Sequence, residues 1–412
     1  MNVRKKLSLA ALCFTLPAMA SAQAAAPAPA AAPAPTPAPA PAIEIKPYGF
    51  ALLTLNQTDG TFNYPEYPSL PKSGNGYYNH FSARQSRFGV NVSGADGGVT
   101  CAKLAGKLEF DFMGSVASST TGAPDLKTAS TSGSWDSVLP RLRYFYGQAS
   151  WDFAAAGKFS LLLGQTDGLV NPLHPELGAY IALPTFMQAG NLTRRSPQVR
   201  ATYAFAAGPL GLTAEVAALN AADKGGVEYS FGNQSGRPDL EGRLQGAFKQ
   251  DDISATIGIG YHTNRRKYDA GKLTETIKTA DVFGVDANIE ATKYLNLRGE
   301  WYTSRGGEES NSGAFSGIAL YGQLEHSNGF WAQAVVKPLP FLWVMGGYGQ
   351  ATQTNYSTAG DLTYSMMNLG LISNVSKNWR LGAEFTTSKK NNPTGTADIS
   401  GSEVALSSRF SF

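Results

Sequence analysis

Sixteen stretches of this chain alternate apolar and polar residues one by one, the period of a strand whose two faces meet different surroundings. Leu104, Gly106, Leu108, Phe110 and Phe112 interleave with Lys103, Lys107, Glu109 and Asp111. Ile253, Ala255, Ile257, Ile259 and Tyr261 interleave with Ser254, Thr256, Gly258 and His262. Phe283, Val285, Ala287 and Ile289 do the same around Asp286, Asn288 and Glu290, as do Trp379, Leu381, Ala383 and Phe385 around Arg380, Gly382 and Glu384. A soluble sandwich also alternates. Here, however, each stretch runs about 10–12 residues, against a usual five or six. The connections alternate between short and long, and the polar faces carry many charges, which suits a watery lumen better than a packed core.

The expected strands are 43–55, 81–93, 101–113, 139–153, 158–166, 197–206, 209–219, 237–248, 252–263, 280–291, 294–303, 328–337, 341–352, 362–373, 378–388 and 401–412. Gaps after even strands are short and gaps after odd strands are long. Residues 316–325 are strand-like as well, but a separate crossing there would invert every later connection, so they belong to the sixth long loop. This parity predicts an all-β fold: a transmembrane antiparallel β-barrel of 16 strands, with long extracellular loops, short periplasmic turns and both termini periplasmic. Closure is obligatory if the apolar faces meet lipid, because an open sheet edge in hydrocarbon leaves N–H and C=O groups unsatisfied at several kcal/mol each. Tyr294, Trp301, Trp331, Phe341, Trp343, Trp379 and Phe412 fall near strand ends, where interface girdles place aromatics.

Residues 1–22 have the form of a secretory signal peptide, with Arg4, Lys5 and Lys6, then the apolar Leu7 to Leu16, then Ala20-Ser21-Ala22. The formal charge of +3 resides in that segment; without it 31 acidic residues face the same number of basic ones, which gives no ground for a nucleic-acid partner. Residues 23–42 are a Pro/Ala-rich tract, an extended periplasmic spacer on the order of 60 Å at about 3.1 Å per residue. It is either a disordered leader or a contact with cell wall. One cysteine, Cys101, survives cleavage, and His80, His174, His262 and His326 are scattered, so neither a disulfide nor a metal or cofactor site is expected.

The segment Ser408-Arg409-Phe410-Ser411-Phe412 resembles the assembly signal of bacterial outer-membrane barrels. Arg84-Gln85-Ser86-Arg87-Phe88-Gly89-Val90, Leu161-Leu162-Leu163-Gly164-Gln165-Thr166 and Arg194-Arg195-Ser196-Pro197-Gln198-Val199-Arg200 resemble Gram-negative trimeric porins, nearest the DcaP-like porins. The likeness is spread over 43–412. The chain departs from it at Asp167-Gly168-Leu169, where such porins often carry an aromatic, and in its Pro/Ala tract, which cannot form the helical extension of the DcaP-like group. The resemblance implies a homotrimer in outer-membrane lipid, and a long loop, residues 167–196, folded into the lumen to narrow it.

Alternation turns Arg87, Arg141, Arg143 and Arg200 toward the lumen, with Phe88, Leu142, Tyr144 and Val199 outward; Arg194 and Arg195 close the long loop. Arginine stays charged and can hold carboxylate or phosphate oxygens bidentately. Asp167 and Glu176 would face these side chains and set up a transverse field. Alternatively, Arg141 and Arg143 pair with Glu109 or Asp111 on the neighbouring strand. Arg84 points outward in strict register and needs a bulge or a subunit contact. Glu215, Glu241, Glu290, Glu300 and Glu384 would keep the rest of the lumen acidic or mixed.

The expected function is passive diffusion of small hydrophilic solutes and ions, leaning to anions. The alternatives are a channel selective for small carboxylates, sugars or peptides, and a filled, non-conducting structural or adhesin barrel. A barrel-rim enzyme finds no support, since no G-x-S-x-G element is present and the histidines lie far apart.

Overall fold

The structure is a computed structural model. It describes residues 43–60, 62, 66, 76–95, 101–114, 139–181, 184–187, 189–221, 235–268, 276–305, 326–357, 360–391 and 398–412. The signal segment 1–22, the Pro/Ala tract 23–42 and the strand-like 316–325 lie outside the described residues.

Among the described residues seventeen strands form one antiparallel sheet. They begin with β1 (Glu44–Asp59), β2 (Tyr77–Ser82), β3 (Arg87–Ala95), β4 (Lys103–Gly114), β5 (Leu139–Asp152) and β6 (Lys158–Asp167). β7 (Arg195–Ala207), β8 (Leu210–Leu219), β9 (Asp239–Gln250), β10 (Ile253–Tyr268), β11 (Thr276–Thr292) and β12 (Leu295–Arg305) continue it. β13 (His326–Leu339), β14 (Leu342–Ser357), β15 (Gly360–Asn374), β16 (Trp379–Asn391) and β17 (Ile399–Ser411) complete it. The sheet closes on itself, for β1 pairs with β17 from Phe50↔Ser411 to Asp59↔Ser402.

β2 and β3 are two halves of one wall strand, so the barrel has the 16 positions the alternation predicts. β1 meets β3 through Glu44–Phe50 and β2 through Thr54–Asp59. Between these runs Ala51, Leu52 and Leu53 stand against the longer Ala83-Arg84-Gln85-Ser86, a bulge of the kind that re-aims side chains. This is the irregularity Arg84 requires: its guanidinium reaches Glu66 Oε2 at 2.6 Å and the carbonyls of Phe112 and Gly114. β10 and β14 run past the expected ends at 263 and 352, to Tyr268 and Ser357.

The wall is inverted relative to a soluble protein. Its outer face exposes large apolar side chains, among them Leu163 at 55% and Val216 at 62%, with Ile257, Leu406 and Phe410. Its inner face buries polar ones, such as Asn296, Asn368 and His262. Each wall strand is hydrogen-bonded along both edges to its neighbours, so the closed sheet leaves no open edge, which is what a lipid-facing β-structure requires. Tyr294, Phe341 and Phe412 are exposed near strand ends, as expected for a girdle, whereas Trp301 is exposed at mid-strand; Trp379 stacks on Phe410 at 5.3 Å.

Two expectations are corrected. Trp331 is no girdle residue: it lies mid-strand, faces inward and is buried against Phe186, ring centroids 5.7 Å apart. Tyr144 does not face lipid. A bulge in the β4–β5 pairing, where Glu109 meets Tyr144 and Phe110 meets Leu142, turns both Arg143 and Tyr144 inward, and the Tyr144 hydroxyl donates to Asp167 Oδ2 at 2.5 Å.

Candidate functional site

The chain between β6 and β7 enters the barrel and runs along its inner wall. The path is legible from its contacts. The Leu169 amide donates to Glu241 on β9 at 2.5 Å, and the Leu173 amide to Glu300 on β12 at 2.6 Å. The Glu176 amide donates to Gln333 on β13 at 2.7 Å, and Gly178 and Ala179 donate to Glu384 on β16 at 2.8 and 3.1 Å. The Ile181 amide reaches Gln85 in the β2–β3 break at 2.9 Å, and the Ile181 carbonyl accepts from Arg87. Glycines at inward positions give the backbone room: a side chain at Gly382 would collide with the Gly178 carbonyl, and one at Gly349 with the Ala189 carbonyl.

Three inward carboxylates anchor this loop instead of lining water, which corrects the expectation of an acidic lumen on that side. Glu241, Glu300 and Glu384 are 4%, 4% and 3% exposed. Glu384 accepts from two loop amides, from Thr185 Oγ1 at 3.0 Å and from Asn368 Nδ2 at 2.6 Å. Glu300 accepts from Leu173, from Asn191 Nδ2 at 2.8 Å and from the Trp331 indole at 2.7 Å. Glu241 accepts from Leu169 and lies 3.0 Å from His262 Nδ1. Hydrogen bonds to charged groups contribute about 1.5–3 kcal/mol each, so the loop is fastened at three separate points. Sequence reasoning missed these anchors. Their only signal was inward acids coinciding with inward glycines on β10 to β16.

On the remaining arc of wall the cations gather. Arg141 forks onto Asp111 at 2.9 and 2.5 Å, and Arg143 bonds Glu109 at 2.7 Å and Asp111 at 3.3 Å. The paired reading of these two arginines is therefore what the wall displays. Arg87 stands 3.8 Å from Glu109, and Lys107 stands 3.6 Å from Glu109 and 4.4 Å over the Tyr144 ring. Arg195 bonds Asp167 at 3.0 Å, with His174 Nε2 3.8 Å from the same carboxylate. Arg200 donates to the Asp167 carbonyl and lies 3.8 Å from Glu215.

The arc continues past β1, where sequence reasoning did not look. Arg87 and Arg409 lie at 5.7 and 5.5 Å from the centroid of the same Phe50 ring, a cation–π arrangement. Arg380 is the direct cross-strand neighbour of Arg409. Among the described residues Arg409 pairs with no carboxylate, and Arg380 and Arg298 share Glu176 at 3.1 and 3.9 Å.

The eight predicted site residues thus separate into groups. Arg87, Arg141, Arg143, Arg195 and Asp167 come together, with Arg200 beside them. Arg194 is tied to Asp239 at 3.0 Å and to the Asn220 carbonyl at 2.8 Å. Of the two acids expected to face these arginines, Asp167 sits among them, against Arg195, whereas the loop carries Glu176 further along the wall to β13 and β16, where it meets Arg380 and Arg298.

No protein-family model and no curated protein matches the chain. Solved structures do. The outer-membrane channel DcaP of Acinetobacter baumannii superposes with a TM-score of 0.64 at 20% identity, covering 90% of this chain and 97% of that one. The anion-selective porin of Comamonas acidovorans gives 0.55 at 14% identity, covering 90% and 100%. OmpF of Salmonella typhi, in complex with daunomycin, gives 0.53 at 12%, covering 89% and 97%. The fold is that of an outer-membrane porin. The exposed apolar belt around this porin-like barrel is the surface of a membrane-spanning protein.

Proposed function

We propose that the chain forms a water-filled channel through which small hydrophilic solutes and ions diffuse passively, with a preference for anions. The observation that carries this reading is the uneven distribution of charge inside the barrel. The loop covers Glu241, Glu300 and Glu384 with its own N–H groups, while among the described residues Arg87, Lys107, Arg141, Arg143 and Arg195 gather around Glu109, Asp111 and Asp167. Arg409 adds a charge that pairs with no carboxylate among the described residues. Cations in excess along a narrowed bore raise the local concentration of anions and lower that of cations. Nothing in this mechanism requires a nucleophile or cofactor: the outer belt holds the barrel in lipid, the inner polar face keeps water, and the loop limits solute size.

The assembly that goes with this reading is a homotrimer, and the Pro/Ala tract would act as a periplasmic spacer. Single-channel recording in planar bilayers, under a KCl gradient, tests the proposal. Conductance with a reversal potential of anion sign is expected, and folded, reconstituted protein that fails to conduct overturns the channel. Cross-linking in mild detergent checks the trimer separately.

A further inference from the structure

The buried carboxylates of the described wall, such as Asp111, Asp286 and Glu384, accept hydrogen bonds or ion pairs. Glu403 on β17 does not. It is 2% exposed, and neither carboxylate oxygen has a donor. Its direct cross-strand neighbours are Thr58 on β1 and Thr386 on β16, and Thr386 in turn neighbours Asn368 on β15. All four are buried on the inner face. The Thr386 hydroxyl and the Asn368 amide oxygen are likewise without partners, while the Asn368 amide nitrogen donates to Glu384. The row is capped along β17 on both sides. Phe62 lies against Gly401, and Ala405 packs with Tyr180 and Met187.

A carboxylate enclosed in this way costs several kcal/mol unless a positive charge or donors compensate it. No lysine, arginine or histidine forms an ion pair with it among the described residues. Neutral, hard oxygens lie along the same row: the hydroxyls of Thr58 and Thr386 on the two adjoining strands, and the Asn368 amide carbonyl one strand beyond Thr386. Such a set selects Ca²⁺, which tolerates irregular oxygen cages at roughly 2.3–2.6 Å, over metals that prefer nitrogen or sulfur. Side chains directly opposed on neighbouring strands start about 4.5–5.5 Å apart at Cβ, close enough to converge on one ion.

We propose that Glu403, Thr386 and Asn368, flanked by Thr58, form a Ca²⁺ site that clasps β15, β16 and β17 to β1 beside the closing seam. With a single carboxylate the affinity belongs to the weak end of calcium sites, a Kd of about 10⁻⁴–10⁻³ M. The site is independent of whether the barrel conducts.

The test is thermal unfolding of the full chain, refolded in a detergent free of anionic lipid, with chelator, with Mg²⁺ or with Ca²⁺ in large excess. Ca²⁺ is expected to raise the wild-type midpoint by about 5 °C near saturation. Mg²⁺ is expected to do less, and Ca²⁺ to leave Glu403→Gln unmoved. An unchanged wild-type midpoint overturns the site, and so does an equal rise in Glu403→Gln. Should that variant not fold, Thr386→Val decides: a Ca²⁺ titration midpoint weakened by about fivefold or more supports the site, and an unchanged one refutes it.

Discussion

Arg380 and Arg409 stand directly opposite each other on β16 and β17, both facing inward, with one carboxylate, Glu176, between them and Arg298. Like charges in register are unfavourable, so an anion held near them relieves the repulsion. Arg409→Gln is therefore expected to lower the anion-to-cation permeability ratio by roughly two- to fivefold. Arg194→Gln should leave it within error, because Arg194 is occupied by Asp239 and the Asn220 carbonyl. Reversal potentials of both variants under one salt gradient check the contrast.

Glu384 is the tightest of the loop anchors. Glu384→Ala leaves two loop amides, the Thr185 hydroxyl and the Asn368 amide without their acceptor, at about 1–3 kcal/mol for each group that stays dry. The expected outcome is a detached loop: larger and noisier single-channel conductance, with protease cleavage appearing between 176 and 187. Unchanged conductance would mean that the loop does not set the bore.

Asp111 holds two guanidinium groups and is fully buried. Asp111→Asn removes the charge while keeping the shape, and breaking a buried pair from one side costs about 3–5 kcal/mol. A lower midpoint in urea unfolding of the refolded barrel is expected, together with a stronger anion preference as Arg141 loses its carboxylate while Arg143 keeps Glu109.

Loop residue Glu66 supplies a pH dependence. Burial alone would raise its carboxyl, but hydrogen bonding and charge from His80, Ser82 and Arg84 outweigh burial and hold it below the ordinary value of 4.5. A depressed carboxylate pKa contributes stability above the unfolded value, lost as pH falls through the folded one. The Glu66–Arg84 latch should therefore be intact at neutral pH and open only as pH falls below the ordinary carboxylate range. Limited proteolysis of residues 60–76 against pH reads this opening. Glu66→Gln should be cleaved at all pH values, and a profile identical to wild type would dismiss the latch.

The wall was legible because a two-residue period leaves little freedom: once Leu104 to Phe112 face lipid, Lys107, Glu109 and Asp111 must face in. Even the β2–β3 break announced itself through Arg84, which strict register would have placed in hydrocarbon. The lumen was less legible. Tyr144 was misassigned because one extra residue in a bulge flips every position after it, and no local signal marks the spot. Trp331 was read as a girdle aromatic because its burial depends on Phe186, which reaches it only through the path of the loop. The roles of Glu241, Glu300 and Glu384 depend on the same path, set by contacts more than 70 residues apart in sequence, such as Leu169 to Glu241 at a separation of 72. The glycines at 349 and 382 were the available hint, since inward strand positions without a side chain mark where another backbone presses close.

The junction of β1 with β17 carries a consequence for biogenesis. Every other pair in the wall joins strands that are near neighbours in the chain, so hairpins can zip as they are delivered. This one waits for the most distant partners to meet, and until Phe50 lies beside Ser411 the two outermost strands remain open edges that no bilayer will accept. Insertion should accordingly be limited by that final joining, and a version lacking residues 399–412 should accumulate as an unfinished, protease-labile intermediate rather than as a smaller barrel.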